Sequence, residues 1–209
     1  MKKKIATDAT SRDAIIFAAI EEFSRSGFHG ARVDSIAQQS GINKAMIYYH
    51  FKNKEELYRT IIEQLFTGIH SLLKESTELD IPPNEKLYQL IGRISAFASS
   101  LDDRMKKLMM WEIASGGKTF IDVAGTKFFR LMLPLVSKLY NDGIKSGIFR
   151  KDINPVYTHI TIVSAIIFSN IINLTAKDSV IFKIFFEKNF NRSFTDNLIS
   201  IIKKGIEEK

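Results

Sequence analysis

Arg32, Lys44, Tyr48, Tyr49, His50 and Lys54 bring two kinds of chemistry into one short stretch. Guanidinium, ammonium, imidazole and phenol groups donate hydrogen bonds to phosphate oxygens, and flat phenol rings offer apolar faces to base edges. If Asn43 to Tyr49 forms a helix, Lys44, Ala45 and Tyr48 are its outward positions and Ile47 points into a core. The short Ala45 lets the backbone approach a groove closely. Lys44 then reaches a guanine edge or a phosphate, and Tyr48 turns its ring to a thymine methyl or its hydroxyl to a phosphate. Tyr49, His50 and Lys54 lie where that helix ends and the next begins, a place for donors that grip a nucleic-acid backbone without reading sequence. Backbone amides near Lys54 and Glu55, at a helix N-terminus, add to such a phosphate site.

Those side chains need a frame, and the flanking pattern supplies one. Val33, Ile36 and Ala37 fall at i, i+3 and i+4, one face of a helix. Gly41 stands where the chain leaves that helix through a left-handed position, and Ile42 and Ile47 carry the apolar face into the second helix. This is the spacing of a helix-turn-helix. Upstream, Thr10-Ser11-Arg12-Asp13 matches a capping pattern, which predicts a first helix from there to Ser26, ended by Gly27. It packs Ile16, Ile20 and Phe23 on Val33, Ile36 and Ile47. Lys2, Lys3 and Lys4 precede it as a flexible arm, either solvated or touching phosphates. Downstream, Asn53 and Glu56 form a second capping pair for a helix running to about Glu75.

The rest of the chain is helical in pattern, so the expected fold is all-α: an N-terminal three-helix domain over residues 1–54 and a larger helical bundle over 55–209. Pro82-Pro83 breaks the chain, and Leu87, Leu90, Ile91, Ile94 and Phe97 then form a helical stripe. A helix over Asp103–Ser115 follows. Another over Phe120–Lys145 is expected to kink at Pro134, with Gly143 and Gly147 ending it. Asn154-Pro155 caps a helix that reaches about Leu174 and is apolar around most of its circumference, which suits burial on two sides. A last helix is predicted over Ser193–Glu207.

Composition narrows the function. The net charge of +7 is concentrated early, since residues 1–54 hold 9 Lys+Arg against 5 Asp+Glu; an anionic partner of the head fits that balance. With no cysteine there is no disulfide or thiolate site. The basic N-terminus lacks the apolar core of a signal peptide, and the interrupted run Ile160–Leu174 reads as a buried helix rather than a membrane span, so a cytoplasmic protein is expected. Gly116-Gly117-Lys118-Thr119 resembles the end of a phosphate-binding loop, but Glu112 stands where its first glycine belongs. The four histidines form no ligand pair and no catalytic constellation is visible, so neither a metal, a cofactor nor an enzyme is expected.

The run from Ile36 through Gly41, Ile42 and Ile47-Tyr48-Tyr49-His50-Phe51-Lys52-Asn53-Lys54-Glu55-Glu56-Leu57, with Phe23, Gly27, Phe28 and Val33 upstream, resembles the DNA-binding signature of the TetR (tetracycline-repressor-like) family. The likeness covers roughly the first quarter of the chain. It implies that Lys44, Ala45 and Tyr48 face the groove of a double-stranded operator and that Tyr49, His50 and Lys54 contact phosphates. The start of the preceding helix, often Thr-rich in the family, reads Ala31-Arg32-Val33 here; the usual hydroxyl cap is missing, and Arg32 stands in for its phosphate contact. The resemblance further implies a homodimer through the last two long helices and a small-molecule effector in the larger domain. Phe97, Leu108, Met109, Trp111, Phe128 and Met132 lie on helices able to line a cavity for an apolar or amphipathic ligand; Glu112 is expected to face solvent. The expected function is a ligand-released repressor. The alternative is an all-α carrier or sensor of hydrophobic molecules that does not bind DNA.

Overall fold

The computed structural model describes residues 2–185 and 189–208; side chains are described from Thr10 onward, except those of Phe128, Phe129, Ile181 and Phe185. The described residues form α1 Lys2–Gly30, α2 Val33–Ser40, α3 Lys44–His50, α4 Lys54–Thr77, α5 Pro83–Ser100, α6 Asp103–Ala114, α7 Lys118–Lys127, α8 Leu133–Lys145, α9 Pro155–Ala176, α10 Val180–Phe185 and α11 Phe190–Ile206. No strand occurs among them, so the all-α expectation holds. Two compact units emerge, one of residues 1–66 and 102–125, the other of 67–101 and 126–209.

In the first unit, the predicted face of α1 meets α2 and α3. Phe23, Ile36, Ile47 and Phe51 are essentially inaccessible to solvent, and Leu57, Tyr58, Ile61 and Ile62 of α4 complete the core. Helix α1 departs from expectation at its start: it runs helically from Lys2 through the Thr10–Asp13 capping pattern. No proline or glycine lies between Lys2 and Ser26, so nothing halts propagation upstream once the helix exists. At Gly27 (φ 65°) the helix is broken as predicted, although helical turns resume as far as Gly30. The indole of Trp111 explains the choice of residue: a Cβ on Gly27 would lie 3.3 Å from its ring carbons. Trp111 Nε1 donates to the Ser24 carbonyl at 3.1 Å, which fixes α6 along α1. At the other end of α6, Arg104 donates to Glu21 at 3.2 Å and covers the Phe17 ring at 4.3 Å.

The second unit buries the α5 stripe of Leu87, Leu90, Ile91 and Ile94 among α8, α9 and α11. Ser95 and Thr195 share a buried hydrogen bond of 2.5 Å between α5 and α11. The element expected over Phe120–Lys145 is two helices separated by a π-helical turn, Phe128–Met132. Pro134, near the start of α8, cannot donate to the ladder, and its ring crowds the Arg130 carbonyl; a wider turn makes room. Gly143 does not end α8. It is buried within the helix, and the Phe149 ring lies so close that a Cβ would overlap it. Gly147 (φ 72°) takes the left-handed position after the helix. The predicted cap of α9 is present, with Asn154 Oδ1 accepting from the Val156 and Tyr157 amides at 3.0 and 3.1 Å.

Helix α9 is longer than the apolar run that marks it. By length and composition it could cross a membrane, yet 28% of its most apolar 18-residue window is buried, so its face is divided. His159, Ile162, Ile166, Ser169 and Asn170 turn inward. Tyr157, Ile160, Ile167 and Phe168 turn outward in the single chain, with Tyr157 at 72% and Phe168 at 63% exposure.

Two outcomes follow from these packings. An exposed helical Gly→Ala change stabilises by about 1 kcal/mol, but Gly143→Ala should lose about 1–3 kcal/mol because the Phe149 ring must move; urea denaturation followed by circular dichroism reads the sign. His159 is buried, and burial pulls its imidazole from the ordinary 6.5 down to about 4. The unfolded chain therefore takes up a proton first, so the contribution of neutral His159 is complete above pH 6.5 and is lost as pH falls towards 4. At about 1.4 kcal/mol per unit the loss is at most roughly 3 kcal/mol, and His159→Phe should flatten that part of the stability–pH curve.

Candidate nucleic-acid interface

Helix α3 is short, and its two ends are set locally. Asn43 caps it, with Oδ1 accepting from the Met46 amide at 2.9 Å. The turn from α2 passes through Gly41 at φ 68°, where a side chain would be strained. Ile36 and Ile47 anchor the two helices from below. What remains outward on α3 is the predicted Lys44, Ala45 and Tyr48, joined by Tyr49 at 71% exposure. His50 is half-buried, with its ring beside those of Tyr49 and Phe51.

Lys44 does not stand alone on this face. Its Nζ lies 2.8 Å from Asp34 Oδ1 in the first turn of α2. The bond holds the Asp34 carboxyl below its usual range and raises the lysine correspondingly. Arg32 is near enough for its charge to act on both members of the pair, and Tyr48 lies beside Lys44. Arg32 is exposed and sits at the N-cap of α2 in extended conformation, with no side-chain cap.

The missing cap has a substitute that sequence reasoning overlooked. Glu22, on α1, is 2% exposed. Its Oε1 accepts from the Arg32 amide at 3.2 Å, and its Oε2 accepts from Gln39 Nε2 at 3.2 Å and from the Arg25 guanidinium. One carboxylate thus satisfies an amide at the α2 N-terminus, holds the last turn of α2 and keeps its own charge paired. The sequence did carry a signal: Glu22 falls seven residues after Ile15 and three after Ala19, on the apolar side of its helix.

Lys54 also has structural work. Its Nζ donates to the carbonyls of Phe28 and Ala31 at 2.8 and 3.1 Å and lies 4.6 Å from the Phe28 ring centroid. The chain leaving α1 is thereby tied to the start of α4. The predicted α4 cap is formed, with Asn53 Oδ1 accepting from the Glu56 amide at 2.7 Å and Glu56 accepting from the Lys52 amide at 3.2 Å.

The effector candidates are scattered among different duties. On α6, Leu108 is inaccessible, Met109 is half-buried and Trp111 is held by Ser24. In the second unit, Met132 is buried, and the Phe97 ring lies 2.9 Å from where a Cβ on Gly68 would be. The side chain of Phe128 is outside the described residues. Glu112, expected to face solvent, is 4% exposed. It accepts from Tyr58 Oη and from the Phe120 amide, each at 2.8 Å. Burial, and then this bond, push the Tyr58 phenol upward. Glu112 also occupies the amide end of α7, so the Gly116–Thr119 segment that resembles a phosphate loop already has its anion.

An outward helix carrying cationic and aromatic side chains, braced by a partner helix anchored through Ile36 and by a tight glycine turn, defines a helix-turn-helix DNA-binding regulator. Residues 15–61 match the family described as "Bacterial regulatory proteins, tetR family", the family that the motif of the head resembles. Relatives include the HTH-type transcriptional regulator RutR of Escherichia coli K12, 28% identical over 145 residues, covering 69% of this chain and 67% of RutR. IcaR of Staphylococcus epidermidis, a negative transcriptional regulator of the biofilm operon icaADBC, is 36% identical over 97 residues, 46% of this chain and 50% of IcaR. Among solved structures, the regulator FadR of Bacillus subtilis in complex with stearoyl-CoA has a TM-score of 0.73 at 18% identity, over 92% of this chain and 98% of that one.

Replacing Glu22 tests the brace. Glu22→Ala should cost about 3 kcal/mol, the penalty for stranding buried hydrogen-bond partners of a charge, while Glu22→Gln, which keeps an acceptor, should cost markedly less. Equal unfolding curves for both variants and the parent would show that the carboxylate holds nothing.

Proposed function

We propose that the protein is a cytoplasmic transcriptional repressor that binds a palindromic double-stranded operator as a homodimer and releases it when an apolar or amphipathic small molecule binds. The observation that carries this reading is the outward face of α3, where Lys44, Ala45, Tyr48 and Tyr49 are exposed while Ile47 is buried. In this reading residues 1–54 do the DNA binding. Lys44, Ala45 and Tyr48 face base edges, and Tyr49, His50 and Lys54 contact phosphates with Arg32 beside them. Lys54 retains a third N–H beyond its two carbonyl bonds.

Residues 55–209 would hold the effector and the dimer contact. The outward apolar face of α9 supports pairing with a second copy, since an aromatic and aliphatic strip of that kind is stabilised by burial. Two heads in a dimer must sit about 34–36 Å apart to enter successive major grooves. An effector releases DNA if it binds more tightly to a state with another separation. Phe97, Leu108, Met109, Trp111, Phe128 and Met132 are the side chains proposed to sense it, directly or through the helices they position, and stearoyl-CoA, present in the FadR complex, is one probe of this ligand class.

Sequences selected from a randomised duplex library by the full-length protein supply the test. Lys44→Ala and Tyr48→Ala should each reduce discrimination between the selected duplex and calf-thymus DNA by about tenfold or more. Lys54→Ala should weaken both duplexes alike, flatten the salt dependence and lower the melting temperature, because its two carbonyl bonds go as well. A wild-type protein that enriches no duplex yet takes up apolar ligands would instead be the carrier.

A further inference from the structure

We propose that Asp34 is a sequence-specificity residue: paired with Lys44, it forms a two-residue reader of a G·C pair, in which the lysine donates to guanine and the aspartate accepts from the cytosine amino group. The inference rests on the DNA-binding reading given above. It begins from the bond between Lys44 Nζ and Asp34 Oδ1, 2.8 Å long, which joins the start of α3 to the start of α2 across the turn. Both side chains are open to solvent, at 48% and 67%. Neither group is buried in the core, and both lie on the face that carries Tyr48 and Arg32.

A carboxylate on a surface meant for DNA is costly unless it has a use. It repels phosphates and removes one positive charge from the face, so non-specific binding is weakened. A free lysine is a flexible point charge that takes phosphate or guanine with little distinction. Tethered to Asp34, its ammonium is held in one place and its charge is balanced against backbone contacts. Among base edges in the major groove, guanine O6 and N7 accept, and cytosine N4 donates. A donor and an acceptor side by side complement that arrangement. Thymine O4 would face the carboxylate with no hydrogen to share, and the paired charges give little to a phosphate. Asp34 thus acts against wrong sequences as much as for the right one.

The experiment uses the full-length protein and a randomised duplex library, with Asp34→Ala, Asp34→Asn and Lys44→Ala beside the parent. Since Asp34 is exposed, its variants should keep the parent's circular dichroism and melting temperature. The parent should select a motif with a fixed G·C pair in each half-site. Asp34→Ala should relax the preference at that pair by about tenfold, raise affinity for calf-thymus DNA several-fold at low salt, and steepen the salt dependence by about one unit of slope. Asp34→Asn, which keeps an acceptor but frees the lysine charge, should steepen the salt dependence while retaining more of the base preference. Asp34→Ala combined with Lys44→Ala should cost no more discrimination at that pair than Lys44→Ala alone. An unchanged motif and an unchanged salt slope in Asp34→Ala, with the parent selecting a clear motif, would overturn the role of Asp34 and leave DNA binding standing. A parent that selects no duplex would overturn both.

Discussion

The carboxylate of Glu22 is the point on which the geometry of the head depends. Apolar packing of Phe23, Ile36 and Ile47 brings α1, α2 and α3 together, but burial is non-directional and tolerates several angles. Hydrogen bonds to one fixed carboxylate do not. By accepting from the Arg32 amide at one end of α2 and the Gln39 amide group towards the other, Glu22 sets the tilt of that helix on α1. Gly41 and the Asn43 cap then pass the tilt on to α3, because only a short turn separates the helices. A buried carboxylate is expensive unless paired, and Arg25 is the counter-charge that makes the arrangement affordable.

Glu112 repeats the device elsewhere in the same unit. It joins α6 to α4 through Tyr58 and to α7 through the Phe120 amide, so three helices meet at one anion. Together with Trp111 on Ser24 and Arg104 on Glu21, this places α6 among elements whose positions are fixed by directed polar contacts. The second unit is held differently. There close steric fits, Phe149 on Gly143 and Phe97 on Gly68, stand beside polar ties between α5 and the end of α11, where Ser95 pairs with Thr195 and Glu207 accepts from Asn84 and Tyr88. Steric fits of this kind are lost as soon as a side chain changes rotamer or a small residue gains a methyl group.

What the sequence disclosed follows from the range of the forces involved. Caps such as Asn43, Asn53 and Asn154 are local: the side chain bonds an amide two or three residues on, so the residue and its neighbours are enough to predict them. The same holds for Gly41 and for the stripe from Leu87 to Ile94. Glu22 and Glu112 were not legible in this way, because their partners are 10 and 54 residues distant and a glutamate within a helix is ordinarily solvated. The start of α1 was misjudged for the opposite reason. Thr10–Asp13 is a valid local cap, but a longer helix offered the same backbone more hydrogen bonds. At Pro134 the expected break is present, while its form, a π-helical turn, depends on how the crowded carbonyl is relieved. The fold and the outward residues of α3 were therefore readable; the residues that aim α3 were not.

The charge of the reading face bears on why such a regulator would be dimeric and switchable. Arg32 and Lys44 supply two positive charges there, and Asp34 takes one away. These three side chains together leave one net positive charge at the reading face, and phosphate neutralisation supplies most of the affinity in sequence-independent binding. In the proposed dimer the second head binds at an effective concentration set by the first, and the affinity gained depends on geometry rather than on new contacts. That gain disappears when the heads cannot reach successive grooves together, so a modest shift in their separation is enough to release the operator. The outward strip of Tyr157, Ile160, Ile167 and Phe168 on α9 then matters to control: the less each head binds alone, the more control passes to whatever joins two of them.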